Sequence, residues 1–165
     1  MKKLNLTIED MPYAAEEALN RLRVNIKFCG KNTKKILITS SVPNEGKSTV
    51  SVHLWKLLAE AGFPTVLVDV DLRKSEHNTI LKMQGVEEGI NHYLSGMAEY
   101  EDVVYETNIP NGHWVPIAEL LENPSALLED PIKILGLKSY KQIKIIGANE
   151  TIRTIIDFVF DTYTN

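Results

Sequence analysis

The sequence predicts an α/β fold, a parallel β-sheet flanked by helices around a phosphate-binding loop. Three observations predict it. The apolar run Ile36-Leu37-Ile38 leads into Ser41-Val42-Pro43-Asn44-Glu45-Gly46-Lys47-Ser48-Thr49, and a helical pattern opens at Lys47. A second run, Val66-Leu67-Val68, follows one helix later and is apolar throughout, as suits a parallel strand covered on both faces. Between the two, Val50, Leu54, Leu57 and Leu58 recur at helical spacing, and Gly62 supplies a stop. Strand, loop, helix and strand in this order fit a right-handed βαβ crossover.

The loop meets the pattern G-x-x-x-x-G-K-[ST] except at its first position, where Ser41 stands for Gly. Consecutive backbone N–H groups in such a loop point into one concave nest, and the helix start behind it adds partial positive charge. Ser41, Asn44, Glu45, Gly46, Lys47, Ser48 and Thr49 are therefore the candidate nucleotide-binding residues. Lys47 would reach the terminal phosphates, and the Ser48 hydroxyl would sit on a phosphate-bound Mg²⁺. The second strand ends in Asp69-Val70-Asp71-Leu72-Arg73, which sets carboxylates and a guanidinium at its carboxyl end. Open α/β sheets bind ligands at that edge. The plainer alternative is a solvated turn in which Arg73 partners Asp69 and Asp71.

Bulk properties narrow the field. A chain of 165 residues has room for one domain with a real core. Apolar content of 44% and charged content of 24% are those of a globular protein. A formal charge of −4 argues against a nucleic-acid footprint, which needs a clustered basic face. Cys29 is the single cysteine, so an internal disulfide is excluded and a reducing compartment is the simplest home. Beside Phe28 it reads as core filler. No apolar run approaches the ~18 residues that span a bilayer. Met1-Lys2-Lys3-Leu4-Asn5 lacks the apolar stretch of a secretory signal.

Along the chain, residues 1–12 read as a loose arm. Pro12 precedes a helix from Tyr13 to about Phe28, with Ala15, Ala18, Leu19, Leu22 and Ile26 as its apolar stripe. Gly30 and Asn32 break it. After Arg73, Ile80, Leu81 and Met83 suggest helix near Gly85, and Ile90, Tyr93 and Leu94 suggest another before Gly96. Val103-Val104-Tyr105 fits a further short helix, and His113-Trp114-Val115 a strand ended by Pro116. Asn123-Pro124-Ser125 starts a helix. Ile143-Lys144-Ile145-Ile146-Gly147 alternates as a strand. From Thr151 the pattern Ile152, Ile155, Ile156, Val159 suits a helix, while Ile155 to Asp161 also reads as a β-rich run ending in an acid. His53, His77, His92 and His113 show no metal-ligand spacing and read as structural or surface residues.

These residues resemble the bacterial protein-tyrosine kinases of capsule and exopolysaccharide synthesis, a branch of the P-loop ATPases. Ser40 to Thr49 resembles their Walker A loop. Val66-Leu67-Val68-Asp69-Val70-Asp71-Leu72-Arg73, with Lys74 and His77 after it, resembles their Walker A′ motif. Gly89-Ile90-Asn91-His92-Tyr93-Leu94-Ser95-Gly96 and Asn123-Pro124-Ser125-Ala126-Leu127-Leu128 are similar to two further landmarks. Glu17 to Ile26 resembles the Glu-x-x-Arg-x-x-Arg helix of ring assembly, with Asn20 at the middle Arg position. In these terms residues 1–165 form one P-loop nucleotide-binding domain. It has an arm and helix at 1–30, a family-like core at 34–130 and an atypical end at 131–165. Within that end, Asp157-Phe158-Val159-Phe160-Asp161-Thr162 is the sole Walker B candidate, with Asp161 as its acid, and it lacks the family's two prolines. The expectation is a shortened relative whose last third does not complete the sheet.

The resemblance implies an ATP-dependent tyrosine autokinase regulating capsular or exopolysaccharide synthesis, with ATP and Mg²⁺. Lys47, Asp69 and Asp71 would be catalytic: Lys47 neutralises the phosphates, and Asp69 or Asp71 takes the tyrosine proton. Ser48 and Asp69 would serve the metal. Implied partners are the cytoplasmic segment of a membrane polysaccharide co-polymerase modulator, protein tyrosine substrates and further copies of the chain, with no nucleic acid. The implied location is the cytoplasm, at the inner membrane face when a partner recruits it. Two alternatives stay open. One is a catalytically impaired ATP-binding pseudo-kinase or fragment, since Tyr163 is the only tyrosine of the final segment where the family has a cluster. The other is a partition-type ATPase switch, whose members carry an extra Lys where this loop has Ser41, Val42 and Pro43.

Overall fold

The computed structural model describes residues 1–29, 35–39, 42, 44–72, 75–120 and 143–147. Its strands are β1 (Lys2–Leu4), β2 (Lys35–Ile38), β3 (Thr65–Asp69), β4 (Tyr105–Thr107), β5 (Gly112–Val115) and β6 (Ile143–Gly147). The helices are α1 (Tyr13–Phe28), α2 (Lys47–Glu60), α3 (His77–Ile80), α4 (Ile90–Ser95) and α5 (Tyr100–Val103). The strands form one sheet in the order β1-β4-β5-β3-β6-β2. The expected loop-to-helix junction is thus at Lys47, and the second expected strand is β3.

β3 is buried along its whole length, which explains its unbroken apolar run. Its side chains alternate between two cores, as strand geometry requires. Val66 and Val68 pack with Ile90, Leu94, Val103 and Val115 on one face. Leu67 packs with Val52, Trp55, Leu58 and Trp114 on the other. Each such side chain contributes about 1.5–3 kcal/mol by leaving water. Trp55 and Trp114 meet edge to face at 6.0 Å and anchor α2 against β5. α2 ends as expected before Gly62, where the Phe63 N–H reaches the Leu58 carbonyl at 3.1 Å and closes the last turn.

β2, β6, β3 and β5 run parallel, but β4 pairs antiparallel with β5, so the sheet is mixed rather than wholly parallel. The reason is the connection. Residues 108–111 span β4 to β5 directly, and so short a link can only reverse the chain, whereas a parallel return needs a long crossover. Val103-Val104-Tyr105, expected as helix, divides accordingly: Val103 closes α5 and Tyr105 opens β4.

Residues 1–12 are not a loose arm. β1 extends the sheet alongside β4, and Leu4 and Leu6 are buried. Asn108 clasps the Leu6 backbone at both ends, accepting from its N–H at 2.8 Å and donating to its carbonyl at 3.1 Å. α1 has the expected bounds, but of its apolar stripe only Leu19 is buried. Leu22, like Tyr13, Val24 and Phe28, is exposed. Cys29 is exposed too, at the helix end, so it is not core filler.

The last third also differs from expectation in one respect. β6 lies at the centre of the sheet, bonded to β3 on one side and β2 on the other. Asn123 to Leu128, the segment from Thr151, Asp161 and Tyr163 lie outside the described residues, as do Gly30, Asn32, Ser40, Ser41, Pro43, Arg73 and Lys74.

Candidate functional site

The chain leaving β2 must turn sharply to start α2, and two residues with left-handed backbone make the turn. They are Asn44 at φ 64° and Gly46 at φ 83°. Alternating handedness of this kind curls successive N–H groups inward into an anion-binding nest. Gly46 is the N-cap of α2, and its carbonyl accepts the first helical bond from Val50 N–H at 2.9 Å. A Cβ placed on Gly46 would meet nothing within 4 Å, so that side of the turn is open among the described residues. The first turn of α2 carries no acid to compete with an anion. Its unpaired N–H groups and helix dipole favour negative charge.

The acidic turn lies across from this loop. Lys47 Nζ donates to Asp71 Oδ2 at 2.9 Å, with 13% and 16% of the two side chains exposed. The loop and the end of β3 are thus joined by one ion pair at the carboxyl edge of the sheet. Asn44, Glu45 and Thr49 are exposed and Ser48 is half-buried.

Asp69 is placed differently from Asp71. It is fully buried. Its Oδ1 accepts the Asp71 N–H at 3.1 Å, and its Oδ2 receives the Ser75 hydroxyl and lies 2.9 Å from His77 Nδ1. Burial alone would raise the Asp69 carboxyl. The His77 ring, the Ser75 hydroxyl and the Asp71 N–H outweigh it and hold the group below the usual carboxylate range. Both oxygens, read from sequence as catalytic and metal-binding, are committed within the protein.

His77 continues inward. Its Nε2 lies 3.3 Å from Ser51 Oγ, and that hydroxyl donates to the Ser48 carbonyl at 2.9 Å. Its ring meets Trp114 edge to face at 5.4 Å. Ser51, His77 and Asp69 have the relative order of an acyl-transfer triad. All three are at 0% exposure, however, so the Ser51 hydroxyl has no substrate to attack. The set joins α2 to β3 instead. Sequence reasoning passed over Ser51 and Ser75 and read His77 only as a structural or surface residue after the Walker A′-like segment, and its burial fits the structural reading. The available signal was Ser51 itself, a hydroxyl one helical turn after Lys47 in a helix whose inner face is otherwise apolar. Such a group demands a partner.

Among the described residues no three His, Cys, Asp or Glu side chains converge as a metal cage. Mg²⁺ seldom uses one, since it keeps several waters and binds through one or two protein oxygens together with phosphates. The Ser48 hydroxyl and the Asp71 carboxylate suit that role.

The family model described as the CobQ/CobB/MinD/ParA nucleotide binding domain matches residues 36–161. Tyrosine-protein kinase CpsD of Streptococcus agalactiae is 44% identical over 115 residues, which are 70% of this chain and 50% of that protein. CpsD of Streptococcus pneumoniae is 38% identical over 115 residues, 70% of this chain and 51% of its own. The chain therefore spans about half the length of the curated relatives it matches. Among solved structures, the BceF tyrosine kinase domain superposes with a TM-score of 0.72 at 27% identity, covering 87% of this chain and 60% of that one. The septum site-determining protein MinD of Pyrococcus horikoshii, complexed with Mg-ADP, superposes at 0.60 and 30% identity over 69% of this chain and 47% of its own.

Proposed function

Because the chain belongs to the CobQ/CobB/MinD/ParA family of nucleotide-binding domains, we propose that it binds Mg–ATP and phosphorylates tyrosine in capsular or exopolysaccharide synthesis. The observation that carries this reading is the Lys47–Asp71 pair, which sets a cation at the end of the loop 2.9 Å from an acid in the turn that follows β3. The resemblance to tyrosine-protein kinases named CpsD supports the acceptor.

In this reading the nest at Asn44 and Gly46 holds phosphate oxygens through backbone N–H groups, and Lys47 moves from Asp71 onto them. Ser48, with Asp71 acting through water, would hold the metal. Bound Mg²⁺ supplies charge neutralisation across the phosphates. The tyrosine oxygen forms the new bond to the γ-phosphorus, the bond to ADP breaks, and the phenolic proton passes to the Asp71 carboxylate. Asp71 has this role because it remains partly accessible, while Asp69 stands behind it and orients it through the Asp71 N–H.

The reading includes a cytoplasmic location and a membrane-bound polysaccharide co-polymerase as modulator. No described helix is long and apolar enough to cross a membrane. It also includes contact between copies along α1, whose Tyr13, Leu22, Val24 and Phe28 are exposed.

One observation favours a second reading. β6 lies between β2 and β3 with Gly147 level with Ile38 and Asp69, and its sequence Ile-Lys-Ile-Ile-Gly brings no acid to the centre of the site. A nucleotide-binding relative without turnover would fit that register.

The test is purified chain with radiolabelled ATP, Mg²⁺ and a modulator peptide. Label on tyrosine, abolished in Lys47→Met, supports the kinase. Nucleotide binding without label supports the second reading, and absence of binding rejects both.

A further inference from the structure

We propose that His77 is a positioning residue for the nucleotide loop. By bridging Ser51 on α2 to Asp69 at the end of β3, it sets how far the loop stands from the acidic turn. The inference rests on the nucleotide-binding part of the function proposed above and adds to it a residue that never touches the nucleotide.

The geometry is a closed circuit. From Lys47 it crosses to Asp71 at 2.9 Å, and from the Asp71 N–H to Asp69 Oδ1 at 3.1 Å. The other Asp69 oxygen meets His77 Nδ1 at 2.9 Å, and His77 Nε2 meets Ser51 Oγ at 3.3 Å. Ser51 Oγ returns to the Ser48 carbonyl at 2.9 Å, one residue from Lys47. Two links therefore join the loop helix to β3. The outer one, Lys47–Asp71, must open when phosphate claims the lysine. The inner one, Ser51–His77–Asp69, is wholly buried and has no part in that exchange.

A buried polar network is rigid when each member is satisfied. Here the imidazole is held from a third side by Trp114, at 5.4 Å between ring centres. α3 is only a short helix, Glu76 does not cap it with its side chain, and the ring at its first position ties it to the site together with Ser75, whose hydroxyl accepts the His77 N–H at 3.3 Å and donates to Asp69. The inner link thus keeps Ser48 and Asp71 at one spacing while the outer link exchanges partners. Groups that orient ligands from behind in this way typically change affinity or activity by about 10- to 100-fold when removed.

The test compares four single variants of the full chain, His77→Leu, His77→Asn, Ser51→Ala and Leu94→Ala, by titration with a fluorescent ADP analogue and Mg²⁺. Thermal melts without nucleotide run alongside. Leu94 is buried in the core on the opposite face of the sheet and serves as the measure of plain destabilisation. The expected result is a loss of affinity of about 10- to 100-fold in His77→Leu. His77→Asn, whose amide N–H can still reach Asp69, recovers part of it, and Ser51→Ala falls between. Leu94→Ala lowers the melting temperature while its folded fraction binds as wild type. If His77→Leu does not fold, the Asn and Ala variants decide the matter in the same way. Wild-type affinity in all folded His77 and Ser51 variants overturns the inference and leaves nucleotide binding standing. So does an equal loss in Leu94→Ala at matched melting temperature. A wild-type chain that binds no Mg–ADP overturns both.

Discussion

Asp69 Oδ2 lies 2.9 Å from His77 Nδ1 with neither side chain exposed, so the acid that ends β3 is held by a residue from α3. Removing one member of a buried pair leaves the other desolvated and unmatched, at a cost of about 3–5 kcal/mol. His77→Ala should fall in that range in urea denaturation, and a loss under about 1 kcal/mol would show the pair to be unimportant.

The same pair predicts an acid limb in stability. Asp69 is held below its ordinary value of 3.8 in the folded chain. A depressed carboxyl contributes stability that is complete above the unfolded value and is lost as pH falls through the folded one. Melting temperatures from about pH 6 to about pH 3 should therefore drop along the acid side, and Asp69→Asn should flatten that limb. Parallel curves for the two proteins would contradict the assignment.

Lys47→Met should abolish nucleotide binding while leaving the fold. The lost charge-assisted bond to Asp71 is worth roughly 1.5–3 kcal/mol. Far-UV circular dichroism should match wild type, and a titration with Mg–ATP should show no saturable binding. Retained binding would remove Lys47 from the site.

Two glycines should lose stability on replacement by alanine for different reasons and by different amounts. Gly46 has φ 83° with open space around the missing Cβ, so Gly46→Ala costs only the left-handed backbone penalty, about 1–2 kcal/mol. Gly89 has ordinary extended backbone, but a Cβ there would lie 2.4 Å from the Ala118 nitrogen and 2.6 Å from the Pro116 carbonyl oxygen. Backbone cannot step aside as a side chain can, and Gly89→Ala should cost more than Gly46→Ala in the same denaturation assay. The reverse order would mean that the α4 start can shift.

Asn108→Ala should release β1. The side chain makes two bonds to the Leu6 backbone, and leaving those groups unmatched costs about 1–3 kcal/mol each. Hydrogen exchange should quicken at residues 2–6 and remain slow in β3. Uniform acceleration would mean that β1 does not open separately.

Local chemistry made the centre of the fold legible. Val66 to Val68 had to be a strand covered on both sides, and Gly46-Lys47-Ser48 had to begin a helix. The edge was less legible. Leu4 and Leu6 are too few for a periodic signal, and β1 exists because β4 offers it a partner, Lys2 pairing with Tyr105, far beyond the reach of any local pattern. In the site, Lys47 and Asp71 could be named from their motifs, whereas Ser51 and Ser75 belong to no motif and matter only through what they touch.

Pattern and composition were enough to specify an α/β nucleotide-binding chain, its loop and its acidic turn, because hydrophobic period and turn stereochemistry act over a few neighbouring residues. Folding in three dimensions settled the rest: the antiparallel edge, β6 in the middle of the sheet, and the difference between a partly exposed Asp71 and an enclosed Asp69. Those depend on burial and on bonds between residues far apart in sequence, and such contacts come into being only when the elements pack.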